Sequence, residues 1–248
     1  VFFPDLTSCL KCVDLVRAGA ARPNMDPEPN ALNPRAIEFF DHHAIELIRQ
    51  RVDDIPPAAD CGLFMEIEHD GEPDLEKWFA VFESVEALVD DIIAADDEES
   101  RQRLYSVRHA IPAGVNEIVV RNGMPKVGTD FAVPDHALGK IMDLYNGVSM
   151  KHVLFGHIGD NHLHLNLLPE SQEELDEAKR LYRDLALSAV DMGGTVSAEH
   201  GIGRIKRELL ADMVGEGVIA RFQRLKKRLD PAWILGRGIL FSGGPVSS

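Results

Sequence analysis

The sequence has few cysteines, no long apolar run and a deficit of positive charge, and each shortage excludes a class of protein. Three cysteines in 248 residues are too few for a disulfide scaffold. No run of about 18 apolar residues occurs, and the N-terminus lacks the basic and apolar order of a signal peptide. A formal net charge of −15 argues against a nucleic-acid surface, which needs clustered Lys and Arg. We expect a soluble, cytoplasmic chain, with peripheral attachment to the inner membrane left open.

Glycine-rich phosphate-binding segments are also missing, because neither a GxGxxG nor a P-loop pattern occurs. A content of 45% hydrophobic residues is enough for a substantial core, so the chain is globular. Cys9 and Cys12 form a CxxC pair, but no second pair and no thioredoxin-like pattern accompanies it. We interpret the pair as part of an ordinary helix whose apolar face also includes Leu6, Val13 and Val16.

Residues 151–169, KHVLFGHIGDNHLHLNLLP, are the most informative stretch of the chain. Apolar and polar residues alternate on both sides of residues 159–161, which predicts two strands joined by a tight turn. In the second strand three leucines fall on one face, and His162, His164 and Asn166 fall on the other. One face can therefore seal a core while the other offers ligand atoms.

The predicted register of this hairpin brings two histidines together. With Asp160 and Asn161 at the centre of the turn, His157 lies directly opposite His164. Directly opposed side chains have Cβ atoms roughly 4.5 to 5.5 Å apart and point the same way, which suits two imidazoles that hold one metal ion. His162 shares this face beside the turn, and the sequence leaves open whether it ligates, lies in the outer shell or meets solvent.

A third ligand is available at residues 193–203, GGTVSAEHGIG. A short strand at 195–199 is predicted to enter a glycine turn, where Glu199 and His200 stand side by side. Neighbouring residues of an extended segment point to opposite sides, so these two side chains are expected to have different roles. One would ligate the metal ion while the other moves protons.

The two histidine motifs, followed by an LDP before a glycine-rich end, resemble the C-terminal substrate domain of FAD-linked oxidases and dehydrogenases. That family includes D-lactate dehydrogenases, the glycolate oxidase flavoprotein subunit and D-2-hydroxyglutarate dehydrogenases. Its usual first motif is GHxGDGNxHxN, so this chain differs at Asn161 and His162, where Gly and Asn are commoner. The ending LDPAWILGRGILF also differs from the usual LDPxxILNPGKI.

The resemblance implies roles for the residues of both motifs. The positions of His157, His164 and Glu199 would hold a divalent ion, for which zinc, manganese and iron are all suitable. The position of His200 would be the catalytic base, and that of Asn166 would touch substrate.

Two residues outside these motifs are also implied to bind substrate. Arg108 occupies the place of an arginine that grips the substrate carboxylate, which a guanidinium does bidentately. It is predicted to lie near the end of a helix before Pro112. Lys126 precedes a DxxxP element, as in some relatives, although the spacing here is different.

The function implied is that of the substrate-binding and catalytic C-terminal domain of an FAD-dependent oxidoreductase. It would oxidise a D-2-hydroxy acid such as lactate, glycolate or 2-hydroxyglutarate to the 2-oxo acid. FAD would be held mainly by an FAD-binding domain, supplied in cis or as a separate subunit, so we expect the chain alone to be inactive. The sequence leaves two alternative functions open: a free-standing metal-dependent hydrolase, and a non-catalytic interaction domain with a vestigial site. Whether the chain forms a homodimer is also left open.

The order of elements predicts an α+β fold with a ferredoxin-like antiparallel sheet, helices on one face and a helical C-terminal cap. We expect a substrate and metal-binding domain at 1–203 and the cap at 204–248. Strands are predicted at 61–67, 116–120 and 127–133, besides the hairpin. Helices are predicted from 34 to 48, 74 to 95, 135 to 145, 171 to 192, 205 to 214 and 218 to 229.

Overall fold

The computed structural model describes residues 1–20, 31–52, 55–69, 71 and 74–241. Over these residues it contains seven strands and eight α-helices. The strands are β1 (Phe2–Phe3), β2 (Pro34–Phe40), β3 (Cys61–Ile67), β4 (Val127–Gly128), β5 (Phe131–Ala132), β6 (His152–His157) and β7 (His162–Leu167). The helices are α1 (Leu6–Gly19), α2 (His42–Arg49), α3 (Leu75–Ser84), α4 (Glu98–Asn122), α5 (Leu138–Asn146), α6 (Gln172–Asp191), α7 (Arg207–Val214) and α8 (Glu216–Leu229).

The strands form a single antiparallel sheet in the order β1-β3-β2-β6-β7-β4, with β5 also paired to β7. The two strands of the histidine hairpin, β6 and β7, therefore lie inside the sheet and not at its edge. Helices α7 and α8 follow the sheet in the chain. The antiparallel sheet and the helical C-terminal part confirm the predicted α+β class.

Apolar side chains are buried on both faces of the sheet. Leu163, Leu165 and Leu167 of β7 belong to a large core that also contains buried residues of α1, α5 and α6. Phe40 of β2 and Val153 of β6 belong to a second core with residues of α2 and α4. Successive residues of a strand point to opposite faces, so β2 and β6 each contribute side chains to both cores. Helices thus pack on both faces, where the sequence predicted only one.

The C-terminal cap has a small apolar cluster of its own, which contains Leu210, Ile219 and Phe241. Leu209, in contrast, is buried in the large core, so α7 links the cap to the sheet domain. The predicted division at residue 203 stays a prediction.

Residues 34–40 form strand β2, so the helix predicted from residue 34 is wrong over this range. An Asn-Pro pair resembles a helix start, but β2 pairs with β3 on one side and with β6 on the other. Phe39 and Phe40 are buried in opposite cores, and this burial outweighs the local helix signal. Helix α2 begins only after Asp41, whose Oδ1 accepts a hydrogen bond from the backbone N–H of Ala44 at 2.8 Å.

Helix α4 runs through Pro112, so its predicted end before Pro112 and the predicted strand at 116–120 are both wrong. A proline inside a helix removes the hydrogen bond to the carbonyl four residues earlier, here that of Arg108. Ile111 and Val115 are buried in the second core on either side of the proline. Tertiary packing therefore keeps both halves of the helix in place. Helix α3, in contrast, ends earlier than the predicted residue 95.

The β6–β7 hairpin has a different register from the predicted one. A short 3-10 turn and Asn161, which has φ of 52°, join the strands, and His157 pairs with His162 while Phe155 pairs with His164. The predicted opposition of His157 and His164 is therefore wrong by two positions. A shift of two leaves every side chain on its original face, because side chains alternate with a period of two. The histidines still converge.

Arg17 of α1 fixes this turn from outside the hairpin. Its Nη2 donates to the carbonyls of Ile158 and Gly159, the latter at 3.0 Å, and to Oδ1 of Asn161 at 2.5 Å. Asn161 Nδ2 in turn donates to Asp135 at 2.7 Å. Asn161 thus adopts a left-handed conformation in which its side chain makes hydrogen bonds that a glycine could not make.

The CxxC pair lies in helix α1, as expected for an ordinary helix. Cys9 and Cys12 are completely buried beside Val13 and Val16. Burial raises the pKa of the Cys12 thiol to about 12, so the reactive thiolate is disfavoured.

Candidate metal and catalytic site

The three residues predicted to ligate a metal lie together. Glu199 reaches both strands of the hairpin, with Oε1 3.2 Å from Nε2 of His164 and Oε2 3.6 Å from Nε2 of His157. Glu199 is the most exposed of the three and His164 the least. The site therefore opens to the surface on the side of the glutamate.

Each imidazole is oriented by an acceptor on its other nitrogen. Nδ1 of His164 lies 3.2 Å from the carbonyl oxygen of Thr129, and Nδ1 of His157 lies 2.8 Å from Oε1 of Glu38. This arrangement leaves both Nε2 atoms directed at Glu199. It is the usual geometry of metal-binding histidines, whose second nitrogen is held by an oxygen acceptor.

Glu38 is a residue of the candidate site that the sequence did not indicate, because the pattern of residues 34–40 predicts a helix. It is buried in the centre of the sheet, and the same Oε1 atom accepts a hydrogen bond from Nη2 of Arg108 at 2.8 Å. Arg108 is thus connected to His157 through one carboxylate oxygen. A guanidinium has five N–H donors, so this bond leaves others for a substrate carboxylate.

Asp130 is the second missed residue, and it organises the glycine turn. The carboxylate is 1% exposed and accepts hydrogen bonds from the backbone N–H groups of Glu199 and His200, both at 3.1 Å. It also accepts from Ser197 Oγ at 2.7 Å and from the buried Lys206 ammonium. Burial alone would raise the pKa of Asp130, but these hydrogen bonds and the Lys206 charge hold it well below its usual range.

Glu199 and His200 do not face apart as predicted. His200 Nε2 lies 3.3 Å from Oε1 of Glu199, and its ring stacks on His164 with centroids 5.3 Å apart. The predicted strand at 195–199 is reduced to one bridge between Thr195 and Ala132, followed by bends. Because Asp130 holds two consecutive N–H groups, the segment is not extended and the alternation of strand side chains does not apply. The ring of His200 remains exposed.

Asn166 and Lys126 are also brought together. Lys126 Nζ donates to Asn166 Oδ1 at 2.7 Å, and Asn166 Nδ2 donates to the carbonyl of His164 at 2.9 Å. Burial lowers the pKa of Lys126. Asn166 is buried on the same face of β7 as His164, and Lys126 lies beside it.

The donor set is suitable for a divalent ion. One ligand atom each from His157, His162, His164 and Glu199 lies within 4.8 Å of the others. Burial lowers the pKa of His162 and of His164, which favours the neutral imidazole that a metal requires. Nitrogen donors with one carboxylate are used for zinc, iron and manganese. The residues present thus fit the group that the sequence suggested.

The chain is thus an antiparallel α+β domain that presents imidazoles and carboxylates on a central hairpin and a glycine-flanked turn, which together form a candidate metal centre. The chain belongs to the family described as FAD linked oxidases, C-terminal domain, which it matches over residues 1–240. This confirms the resemblance found in the two histidine motifs.

Three relatives illustrate the range of the family. The chain is 31% identical to the probable D-lactate dehydrogenase, mitochondrial, of Danio rerio over 82% of its own length and 41% of that protein. It is 32% identical to the D-2-hydroxyglutarate dehydrogenase, mitochondrial, of Rattus norvegicus, over 81% of this chain and 38% of that protein. It is 25% identical to the glycolate oxidase subunit GlcD of Bacillus subtilis, over 84% of this chain and 45% of that protein. The chain thus spans less than half the length of these relatives.

None of the helices in the residues that the structure describes combines the length and the hydrophobicity needed to cross a membrane.

Proposed function

We propose that the chain is the substrate-binding and catalytic part of an FAD-dependent oxidoreductase that converts a D-2-hydroxy acid to the 2-oxo acid. The observation that carries this proposal is the convergence of His157, His164 and Glu199, with His200 against them on the exposed side. The family, and relatives named as D-lactate dehydrogenase, D-2-hydroxyglutarate dehydrogenase and glycolate oxidase subunit, support the same reaction class.

We assign the metal to His157, His164 and Glu199. A bound divalent ion would supply Lewis-acid chemistry and lower the pKa of a coordinated hydroxyl group. Glu38 and Thr129 would keep the two imidazoles in the ligating orientation through their Nδ1 contacts.

His200 is the residue we assign as the base. Its ring is exposed beside Glu199, so a substrate can reach it without displacing core residues. Neutral His200 would accept the hydroxyl proton while the hydride on the same carbon leaves for the flavin, which gives the 2-oxo acid. Arg108 would neutralise the substrate carboxylate through the donors that Glu38 leaves free. Asn166 and Lys126 would contact substrate beside the histidines.

The flavin would come from an FAD-binding domain, in cis or as a separate subunit. Family membership counts against a free-standing hydrolase, and the intact ligand geometry counts against a vestigial site. A homodimer, a cytoplasmic location and attachment to the inner membrane stay predictions.

The test combines metal content with flavin reduction. Protein prepared without chelator is expected to contain one divalent ion per chain, and the His157→Ala, His164→Ala double variant is expected to have lost it. His136→Ala is the matched control, because His136 is an exposed histidine outside the cluster. Equal metal content in all three proteins would contradict the metal assignment. With the FAD-binding domain present, failure of every D-2-hydroxy acid tested to reduce the flavin would contradict the reaction.

A further inference from the structure

We propose that His162 is a third imidazole ligand, so that three histidines and Glu199 hold the ion. The inference rests on the proposed function, because it concerns the same ion. The resemblance assigns no role to His162, which stands where Asn is commoner.

The burial of His162 excludes one of the roles that the sequence left open. The residue is only 5% exposed, so its imidazole is not a solvated side chain beside a turn. Its Nε2 atom is buried and makes no hydrogen bond of good geometry with the residues that the structure describes, although Oδ1 of Asp130 lies 3.0 Å away. A buried imidazole nitrogen without a well-formed hydrogen bond calls for an explanation, and an ion at that place is a recognised one.

The position of His162 in the sheet supports ligation. It is paired directly with His157, and its ring centroid lies 5.5 Å from that of His157 and 4.5 Å from that of His164. A ligand atom of His162 belongs to the same group within 4.8 Å as those of His157, His164 and Glu199. Hence the hairpin register that differs from the predicted one places His162, and not His164, opposite His157.

The charges around His162 also suit a cation. Oδ1 of Asp130 lies 3.0 Å from Nε2 of His162, at an ion-pair distance but outside hydrogen-bond geometry. Asp130 and Glu199 thus place two carboxylates at the group of imidazoles, with Lys206 compensating part of the charge of Asp130. The negative charge that remains after the pairing with Lys206 favours a cation in this partly buried place.

A third imidazole changes which metal the site prefers. Imidazole nitrogen suits zinc and iron, whereas manganese prefers sites rich in carboxylate and water oxygen. We therefore expect zinc or ferrous iron to be favoured over manganese, more strongly than in a site with two histidines.

Pulsed electron paramagnetic resonance of the Cu²⁺-loaded 248-residue chain counts the coordinated imidazoles directly. We expect three in the natural chain, two in His162→Asn and three in the control His136→Asn. Competition with a chelating dye should show that His162→Asn binds Zn²⁺ at least about 100-fold more weakly, because changes in the outer shell alone cost up to that factor. His162→Gln is the second variant if His162→Asn does not fold, as judged by circular dichroism.

The outcomes separate this inference from the proposed function. Two imidazoles in the natural chain, or a Zn²⁺ affinity unchanged by His162→Asn and His162→Gln, would overturn the role of His162 and leave the metal site standing. If the natural chain binds neither Zn²⁺ nor Cu²⁺, both this inference and the metal assignment fall.

Discussion

Asp130 is the main side-chain acceptor of the glycine turn, and the DxxxP element that contains it did not indicate this role. Its partners Ser197, His200 and Lys206 lie 67, 70 and 76 positions further along the chain. His157 and His164, in contrast, were predicted because strand alternation is a local property. Side chains that act through distant partners need the tertiary structure, and this explains why Asp130 and Glu38 were both missed.

Replacing Asp130 by Asn is expected to destabilise the chain by about 3 to 5 kcal/mol, because Lys206 is left as an uncompensated buried charge. The measurement is urea unfolding followed by circular dichroism. Glu170→Gln, which breaks the exposed Lys151–Glu170 pair, is the matched control and should cost less than about 1 kcal/mol. Adding Lys206→Met to Asp130→Asn should restore part of the loss. If Asp130→Asn and Glu170→Gln lowered the free energy of unfolding by similar amounts, the result would contradict a stabilising role of the buried Asp130–Lys206 pair.

The same carboxylate predicts how stability depends on pH. The pKa of Asp130 is held well below its usual range in the folded chain by the bonds described above, against the opposing effect of burial. In the unfolded chain it is about 3.9. The stabilisation is therefore complete above about pH 4 and is lost as the pH falls towards the folded value. Below about pH 4 the free energy of unfolding should fall more steeply in the natural chain than in Asp130→Asn. If the free energy of unfolding fell equally steeply with pH in both proteins, Asp130 would not be the source of the acid sensitivity.

If His200 is the base, as we propose, His200→Asn should slow flavin reduction by about two to four orders of magnitude, which is the usual effect of losing a general base. Metal content should stay unchanged, since Nε2 of His200 contacts Glu199 at 3.3 Å without belonging to the group of four ligand atoms. Stopped-flow reduction with the FAD-binding domain present and elemental analysis measure the two effects. Loss of metal from His200→Asn would make this histidine a ligand instead of the base.

Among the elements, the hairpin was predicted as two strands with the correct faces but with the wrong register. The sequence predicts a two-residue turn at Asp160 and Asn161. The chain instead has a 3-10 turn, to which Arg17 of α1 donates hydrogen bonds. Strand β2 and the second half of α4 were assigned to the wrong type, because tertiary burial outweighs local propensity there. Helix α6 was predicted within a residue, since Ser171 caps it and its apolar face is regular.

Gly156 shows how closely the two strands of the hairpin approach. It has φ of +135°, and an added Cβ would lie 2.9 Å from Cδ2 of His164 and 3.2 Å from the carbonyl oxygen of His162. Gly156→Ala should therefore destabilise the chain by about 1 to 3 kcal/mol. It should also weaken Zn²⁺ binding, because the added methyl group moves His164. Gly139→Ala in α5 is the control, because nothing lies within 4 Å of its added Cβ. If Gly156→Ala bound Zn²⁺ as tightly as the natural chain, the close contact at Gly156 would not be needed to position His164 in the site.

At the scale of the whole molecule, the 248-residue chain is expected to carry no stoichiometric flavin. Its sequence has no glycine-rich segment of the kind that cradles a pyrophosphate at a helix N-terminus. The visible absorbance of purified protein, before and after adding free FAD and desalting, measures this. Flavin retained near one per chain would contradict the expectation and would locate the cofactor on this domain.

The contact between Arg17 and the hairpin turn has a consequence for how the chain folds. It joins residues 141 positions apart, from Arg17 to Ile158, so its loop closes only after most of the chain is available. The hairpin can form quickly from neighbouring residues, but the turn becomes fixed only when α1 docks on it. During synthesis α1 leaves the ribosome long before residues 158–161 exist. The contact between α1 and the turn is therefore expected to form late, even though α1 can pack earlier on β1, β3 and α3, and the histidine cluster should reach its final geometry only then.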